Sequence, residues 1–431
     1  MRVSKVYKIH SDSQIKDKLL RWAQQFREVA LYTSNNYPAT YSKFNWMLGV
    51  DAFTSIQTDA FSAFETLQEY QHNTKDYILG FLTYDLKNGI EKLESNNPDG
   101  LEFPDLFFFQ PKKLFFIAED QITLSYLPCV DDELDLDWEE ILNTTLFEEQ
   151  LPKVAFTART PKKEYLQKIQ AVLQHIHRGD IYEANYCQEF FATAEICPLQ
   201  AFNRLNAISN PPFASFFKWD KKYAICASPE RYIQKTGSEL ITQPIKGTAK
   251  RSTIAEEDLQ LKTTLENDPK ERAENVMIVD LVRNDLAKTA QKGSVQVKEL
   301  CKIYTFNQVH QMISTVTSTI RDEVTPTQVL QTTFPMGSMT GAPKISAMQI
   351  CEKLEDFKRG LYSGAIGYFT PNGDFDFNVV IRTILYNAKT NYISYGVGGA
   401  ITAQSIPENE YNECLIKAKA LFSIFKSDVT K

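Results

Sequence analysis

Phe213-Ala-Ser-Phe-Phe217 and Tyr223-Ala-Ile-Cys-Ala227 are the two runs on which the fold turns. Both are mainly apolar and carry aromatic residues, and only residues 218–222 separate them. They read as consecutive strands joined by a short turn, the connection of an antiparallel sheet. Outward from this pair, residues 240–245, 364–369 and 379–385 read as further strands. Residues 268–281, 343–354 and 408–423 read as helices. So does Lys162–Arg178, where Tyr165, Ile169, Val172 and Ile176 fall near helical spacing before Gly179. The pattern predicts an α+β fold, with helices on the outer faces of antiparallel sheet, rather than a doubly wound parallel one.

Upstream, residues 13–30 read as an opening helix. Residues 77–84 and 106–117 read as strands, with Pro111-Lys-Lys113 as a turn inside the second. The many Phe and Tyr residues here read as core and sheet faces. Residues 131–149 hold nine acids and no base, so the remainder of a chain with net charge −7 sums to +2. Such a run reads as a solvated connector, and the main boundary is placed there. The expected organisation is an N-terminal region 1–130, an acidic connector 131–160 and a catalytic domain 161–431.

Composition narrows the class. With 43% hydrophobic and 23% charged residues the chain reads as globular, and its acid excess excludes a general nucleic-acid binder. No run approaches the ~18 apolar residues of a membrane span. The first fourteen residues carry no apolar stretch of the kind a secretory signal needs. Seven scattered cysteines without a C-x-x-C pair read as reduced thiols, so the expected location is the cytoplasm, with no nucleic-acid or membrane partner.

Familiar cofactor motifs are absent. There is no G-x-G-x-x-G, and Gly337-Ser-Met-Thr-Gly341-Ala-Pro-Lys344 lacks the Gly-Lys-Ser/Thr of a phosphate loop. No cysteine sits in a glutaminase-type elbow. Lys246, in Gln243-Pro-Ile-Lys-Gly-Thr248, ends a probable strand; as a nucleophile it needs desolvation or nearby cations, which Lys250 and Arg251 could supply. Glu230, in Ser228-Pro-Glu-Arg231, could act as a general acid or base. Glu271 and Glu274 lie at i and i+3 on one helix start, Glu410 and Glu413 on another. Two such pairs converging would suit Mg²⁺, which takes one or two carboxylates and keeps positions for water and substrate oxygens. Arg382 and the Gly398-Gly399 bend could hold a carboxylate. Taken alone, each has a plainer reading: a turn lysine, a salt bridge with Arg231, and carboxylates facing helix dipoles.

Together these stretches carry a resemblance. They include Gly179-Asp-Ile-Tyr-Glu-Ala-Asn185, Ser228-Pro-Glu-Arg231, Pro244-Ile-Lys-Gly-Thr248, Glu271-Arg-Ala-Glu-Asn275 and Val279-Asp-Leu-Val-Arg-Asn-Asp285. Ser363-Gly-Ala-Ile-Gly-Tyr368, Ile381-Arg-Thr383 and residues 410–417 follow in the same order. From about residue 160 the chain resembles the catalytic domain of the chorismate-utilising family that contains anthranilate synthase component I and the aminodeoxychorismate and isochorismate synthases. Residues before 130 are similar more loosely. The resemblance implies antiparallel sheets stacked between helical layers in one compact unit.

Lysine before Gly247, and Thr340 before Gly-Ala-Pro-Lys344, are similar to the aminodeoxychorismate branch. This implies a transaminase-class amination of chorismate by ammonia to 4-amino-4-deoxychorismate, a step toward p-aminobenzoate and folate. Ammonia would come from a separate glutamine amidotransferase subunit. The alternatives are anthranilate synthase component I and a chorismate-binding subunit without turnover. By the same resemblance, Mg²⁺ is held by Glu274 and Glu413 with Glu271 and Glu410 close by. Lys246 adds to the ring as Glu230 protonates the leaving hydroxyl. Gly247, Thr248 and Thr340 line the substrate, Tyr362, Arg382, Gly398 and Gly399 hold its side-chain carboxylate, and Lys417 stands behind. Three departures accompany it. Gln311 falls where the family carries a site histidine, with His310 one residue earlier; the Gly-Gly-Gly bend ends in Ala400; and Ala30-Leu-Tyr-Thr-Ser34 only loosely matches a tryptophan-binding stretch.

Overall fold

The computed structural model describes residues 2–9, 14–37, 44–147, 149–306 and 309–427. Phe213–Trp219 and Lys222–Ser228 form an antiparallel hairpin, from Trp219 opposite Lys222 to Phe213 opposite Ser228. The two-residue turn is tighter than the apolar runs imply, with Asp220 at φ 54, a conformation Asp tolerates. Beyond one edge, Lys222–Ser228 pairs with Thr383–Asn387, that with Tyr392–Ile401, and that with Glu183–Thr193 along ten residue pairs. Beyond the other edge, Phe213–Trp219 pairs with Glu28–Thr33, followed by Trp46–Thr58 and Leu106–Ala118.

Leu106–Ala118 is where the sheet divides. Its second half pairs with Gln121–Tyr126, while Leu106 to Phe109 pair with Ile78–Leu82. From there a second sheet runs through Ala365–Phe369, Phe375–Val379, Arg231–Thr236 and Glu239–Gln243 to Val309–Thr319. That last strand also carries Ile245–Lys250 and Gln296–Thr305. Every pairing is antiparallel, as expected.

The fold closes on two apolar layers. Phe81, Phe107, Phe217, Ala224, Ile366 and Phe377 fill the space between the sheets, with Phe81 and Phe217 edge to face at 5.3 Å. Each such phenyl contributes roughly 2–3 kcal/mol by leaving water. The helices Lys162–Arg178, Pro198–Ser209 and Pro407–Ile424 cover the outer face of the first sheet through Tyr165, Ile169, Phe202, Cys414 and Leu421. The helix Pro269–Ala287 sets Ile278 and Val279 into the second layer. Among the described residues no helix is long and apolar enough to cross a membrane.

Five local expectations are corrected. Pro111-Lys-Lys113 is not a turn: the strand runs through it, and a bulge between Ala52 and Thr54 of the facing strand accommodates a residue lacking an N–H. The opening helix is Ile15–Trp22 with one 3₁₀ turn after it, and Glu28 already starts a strand; Ser13 lies outside the described residues. Residues 379–385 are two strands broken at Val380, Ile381 and Arg382, the last at φ 54. Residues 240–245 are likewise divided at Pro244. The acidic stretch is partly ordered too: Leu134–Asn143 is a helix that buries Leu134 and Ile141, with Asp137 accepting a hydrogen bond from the Tyr126 hydroxyl at 2.8 Å.

Candidate active site

The local breaks in the strands build one cavity of about 540 Å³. Lys246 and Gly247 sit in a bulge of Ile245–Lys250, where the register against Val309–Thr319 shifts between Ile245 and Thr248. Gly247 adopts φ 92, a backbone conformation that favours glycine, and a Cβ there would stand a tight 3.1 Å from Glu271 Oε2. Arg382 enters from the strand break, Glu230 from the link between two strands, Tyr362 from beside them, and Gly398 and Gly399 from Tyr392–Ile401. The starts of Pro269–Ala287 and Pro407–Ile424 bring Glu271, Glu274, Glu413 and Lys417 to the same space.

Twelve of the fourteen expected site residues therefore line one cavity: Lys246, Glu230, Gly247, Thr248, Tyr362, Arg382, Gly398, Gly399, Lys417, Glu271, Glu274 and Glu413. Thr340 does not. It is 1% exposed, its hydroxyl donates to the carbonyls of Met336 and Gly337, and its own carbonyl accepts the Asn185 N–H. It shapes the wall from behind. Glu410 is also set back, yet its Oε2 would lie 3.4 Å from a Cβ on Gly399, with Glu413 Oε1 at 3.6 Å. The two carboxylates of this helix thus converge over the open side of Gly399.

The surroundings of Lys246 differ from expectation. Arg251 is turned away, donating to Asp258 at 2.8 Å and to the Phe306 carbonyl at 2.7 Å. The nearest partner of Lys246 is instead an anion: Nζ donates to Glu183 Oε1 at 3.1 Å. Glu183 is 1% exposed and its Oε2 has no partner. Burial works to lower the Lys246 pKa, but Glu183, Glu274 and Glu230 outweigh it and hold the ammonium above the ordinary lysine value. Glu183 lies within the Gly179–Asn185 stretch and is not among the residues the resemblance implies; its alternation with Asn185, a cavity residue, is the signal that points to it.

Glu230 is the opposite case. Burial pushes its pKa up to about 7, against the pull of the Ser338 hydroxyl and Lys246. It can therefore carry a proton near neutrality, as a general acid must. Glu274 is also pushed up to about 7 by burial, opposed by Lys246 and reinforced by Glu271. Burial disfavours charge on Glu413 too, but the Lys417 ammonium at 2.6 Å outweighs it and keeps that carboxyl below its ordinary range. Lys417 also donates to the Gly398 carbonyl at 2.6 Å, so it braces the bend.

The donor set suits a hard divalent cation. Glu274 Oε1 is buried without a hydrogen-bond partner. A cation already stands among these oxygens: Lys270 Nζ lies 3.8 Å from Glu274 Oε1 and 4.0 Å from Glu410 Oε1. Among the described residues no group of three or more His, Cys, Asp or Glu side chains is placed to hold a metal ion. Mg²⁺ asks for only one or two carboxylates and takes the rest of its oxygens from water and substrate.

The histidine question is answered by strand alternation. Gln311 faces the cavity, while His310 points to the other side, with Nε2 3.1 Å from Asp258 Oδ1 and Nδ1 3.0 Å from Thr305 Oγ1. His310 is not among the residues that line the cavity. Ala400 still lines the cavity in place of a third glycine. Ser34, at the loosely matching tryptophan stretch, lines a separate small cavity with Tyr32, Phe44 and Tyr368.

The chain belongs to the family of chorismate binding enzymes, whose pattern matches residues 24–423. It is 34% identical to aminodeoxychorismate synthase component 1 of Klebsiella aerogenes over 81% of this chain and 77% of that protein. It is also 34% identical to the protein of that name from Bacillus subtilis, over 84% and 80%. Among solved structures, anthranilate synthase component I from Streptococcus pneumoniae superposes with a TM-score of 0.78 at 27% identity, covering 90% of this chain and 93% of that one.

Proposed function

We propose that this chain is an aminodeoxychorismate synthase component 1, forming 4-amino-4-deoxychorismate from chorismate and ammonia. The observation that carries the reading is Lys246 facing the cavity between two buried carboxylates of opposite character. One, Glu183, accepts the hydrogen bond from Lys246 and is the group placed to receive its proton; the other, Glu230, is a carboxyl able to give one. The names of the two relatives support the same activity.

The residues then divide the work. Lys246 passes a proton to Glu183 and its free amine adds at C2 of the ring. The double bond shifts, and the C4–O bond breaks as Glu230 protonates the departing hydroxyl to water. Ammonia attacks C4, the double bond returns, and the lysine leaves as the amine, so one water is lost for each ammonia taken up. Arg382 and the backbone of the Gly398-Gly399 bend hold the enolpyruvyl carboxylate, with Tyr362 packed beneath at Gly396. Glu274 and Glu413, with Glu271 and Glu410 near, would hold Mg²⁺, which neutralises the ring carboxylate and eases electron flow toward it. A separate glutamine amidotransferase would supply the ammonia.

Anthranilate synthase is the second reading, supported by the superposed structure. Product analysis separates them. With chorismate, Mg²⁺ and ammonium, the para-amino product is expected and the ortho product is not. Without ammonia, intact mass should show chorismate less water on the peptide containing Lys246, and Lys246→Ala should abolish it. An ortho product, or a Lys246→Arg variant that keeps substantial turnover, overturns the assignment, because guanidinium stays protonated.

A further inference from the structure

A second cavity of about 110 Å³ adjoins the first, behind Arg382. The two share Pro229, Thr248, Val309, Gln311 and Arg382 as a common wall. Its own walls include Pro211, Phe306, Tyr395 and Ala420, and half-buried Phe306 and Ala420 bring it toward the surface. Among the described residues that line it, Arg382 carries the only charge. At the common wall one polar group is unspent. Gln311 is 4% exposed, and its Oε1 is buried with no hydrogen-bond partner.

A buried amide oxygen without a donor costs free energy until something small supplies an N–H or O–H. We infer that this side cavity admits neutral ammonia and that Gln311 receives it at the entrance to the main cavity. The inference rests on the amination proposed above and adds where the nitrogen enters.

Three features favour ammonia over ammonium. Only the neutral form has the lone pair that attacks carbon. A passage whose single charge is the Arg382 cation disfavours a second cation. Ammonium entering by the main cavity would be drawn to Glu271, Glu274 and Glu413. The amide also explains why a histidine is dispensable here. An imidazolium beside ammonia would protonate it, whereas an amide accepts one N–H and leaves the lone pair free.

The test compares wild type with Ala420→Phe and Gln311→Leu in steady-state kinetics, varying ammonium and chorismate separately. Ala420→Phe places a ring in the side cavity, and Ala420 itself lines that cavity and not the main one. The KM for ammonium should rise about tenfold in each variant, the scale of one lost hydrogen bond or a blocked approach. The KM for chorismate and the yield of the Lys246 adduct without ammonia should stay unchanged in Ala420→Phe. Unchanged ammonium KM in both variants overturns the inference, as does a chorismate KM that rises in step. A wild type that aminates normally beside unaffected variants refutes the route alone. A wild type that makes no aminated product refutes the activity and the route with it.

Discussion

Replacing Glu230 by glutamine would separate what the carboxyl costs the fold from what it does in the site. The residue is 5% exposed, and burial raises its pKa from 4.5 to about 7. A folded-state pKa above the unfolded one means that the folded chain holds the proton more tightly. The associated stability is present below the unfolded value and is lost as pH rises through about 7. Each tenfold in proton affinity is worth about 1.4 kcal/mol, so keeping an ionisable group here costs about 3 kcal/mol at pH 8 and under about 1 kcal/mol at pH 5. Glutamine is nearly isosteric and stays neutral. Guanidinium unfolding of both proteins should therefore show Glu230→Gln gaining about 2–3 kcal/mol more at pH 8 than at pH 5. Turnover should fall by about 10²- to 10⁴-fold, since an amide gives up no proton. A stability difference that is the same at both pH values would refute the raised pKa, and with it the reason for choosing Glu230 as the acid.

Glu274→Gln should cost most of the activity and raise the Mg²⁺ concentration needed for half-maximal rate, with Glu413→Gln behaving alike; circular dichroism should be unchanged. Near-normal turnover of either at low Mg²⁺ would remove it from the ligand set. Glu183→Gln removes the anion that holds Lys246 charged, so more of the lysine is free amine at a given pH. Labelling of Lys246 by an amine-selective reagent at pH 8 should speed up while turnover drops, because the proton acceptor is gone. Labelling that does not change would mean that the 3.1 Å contact is inert.

The parts of this protein legible in its sequence were the local ones. The hairpin at Phe213 and Tyr223, the helix Lys162–Arg178 and the carboxylate pairs at two helix starts depend on neighbours within a few residues. Pro111 misleads because proline beside two lysines has the chemistry of a turn; only the bulge opposite, near Ala52, lets the strand continue. The break at Arg382 is hidden inside an apolar run. Arg251 looked like a neighbour of Lys246 because it is close in sequence, yet its partner is Asp258, and the partner of Lys246 is Glu183 on a distant strand. The direction of the lysine's pKa follows from that pairing, and no spacing rule reaches it. Gln311 and His310 were the reverse case: period-two alternation along the strand assigns one to each face.

The pairing of Ile78–Leu82 with Ala365–Phe369 has a consequence for how the chain is made. Leu82 and its partner Ala365 are 283 residues apart, and all five residues of Ile78–Leu82 are buried in the finished molecule. At ribosomal speeds of roughly 5–20 residues per second, that gap lasts about 15 to 60 s. During it an apolar strand has one neighbour of its own and one edge open. Glu28–Thr33 waits in the same way for Phe213–Trp219. Nascent chains should therefore be held by chaperones late into synthesis, and cutting the gene between its two halves should yield fragments that aggregate apart and regain solubility only when expressed together.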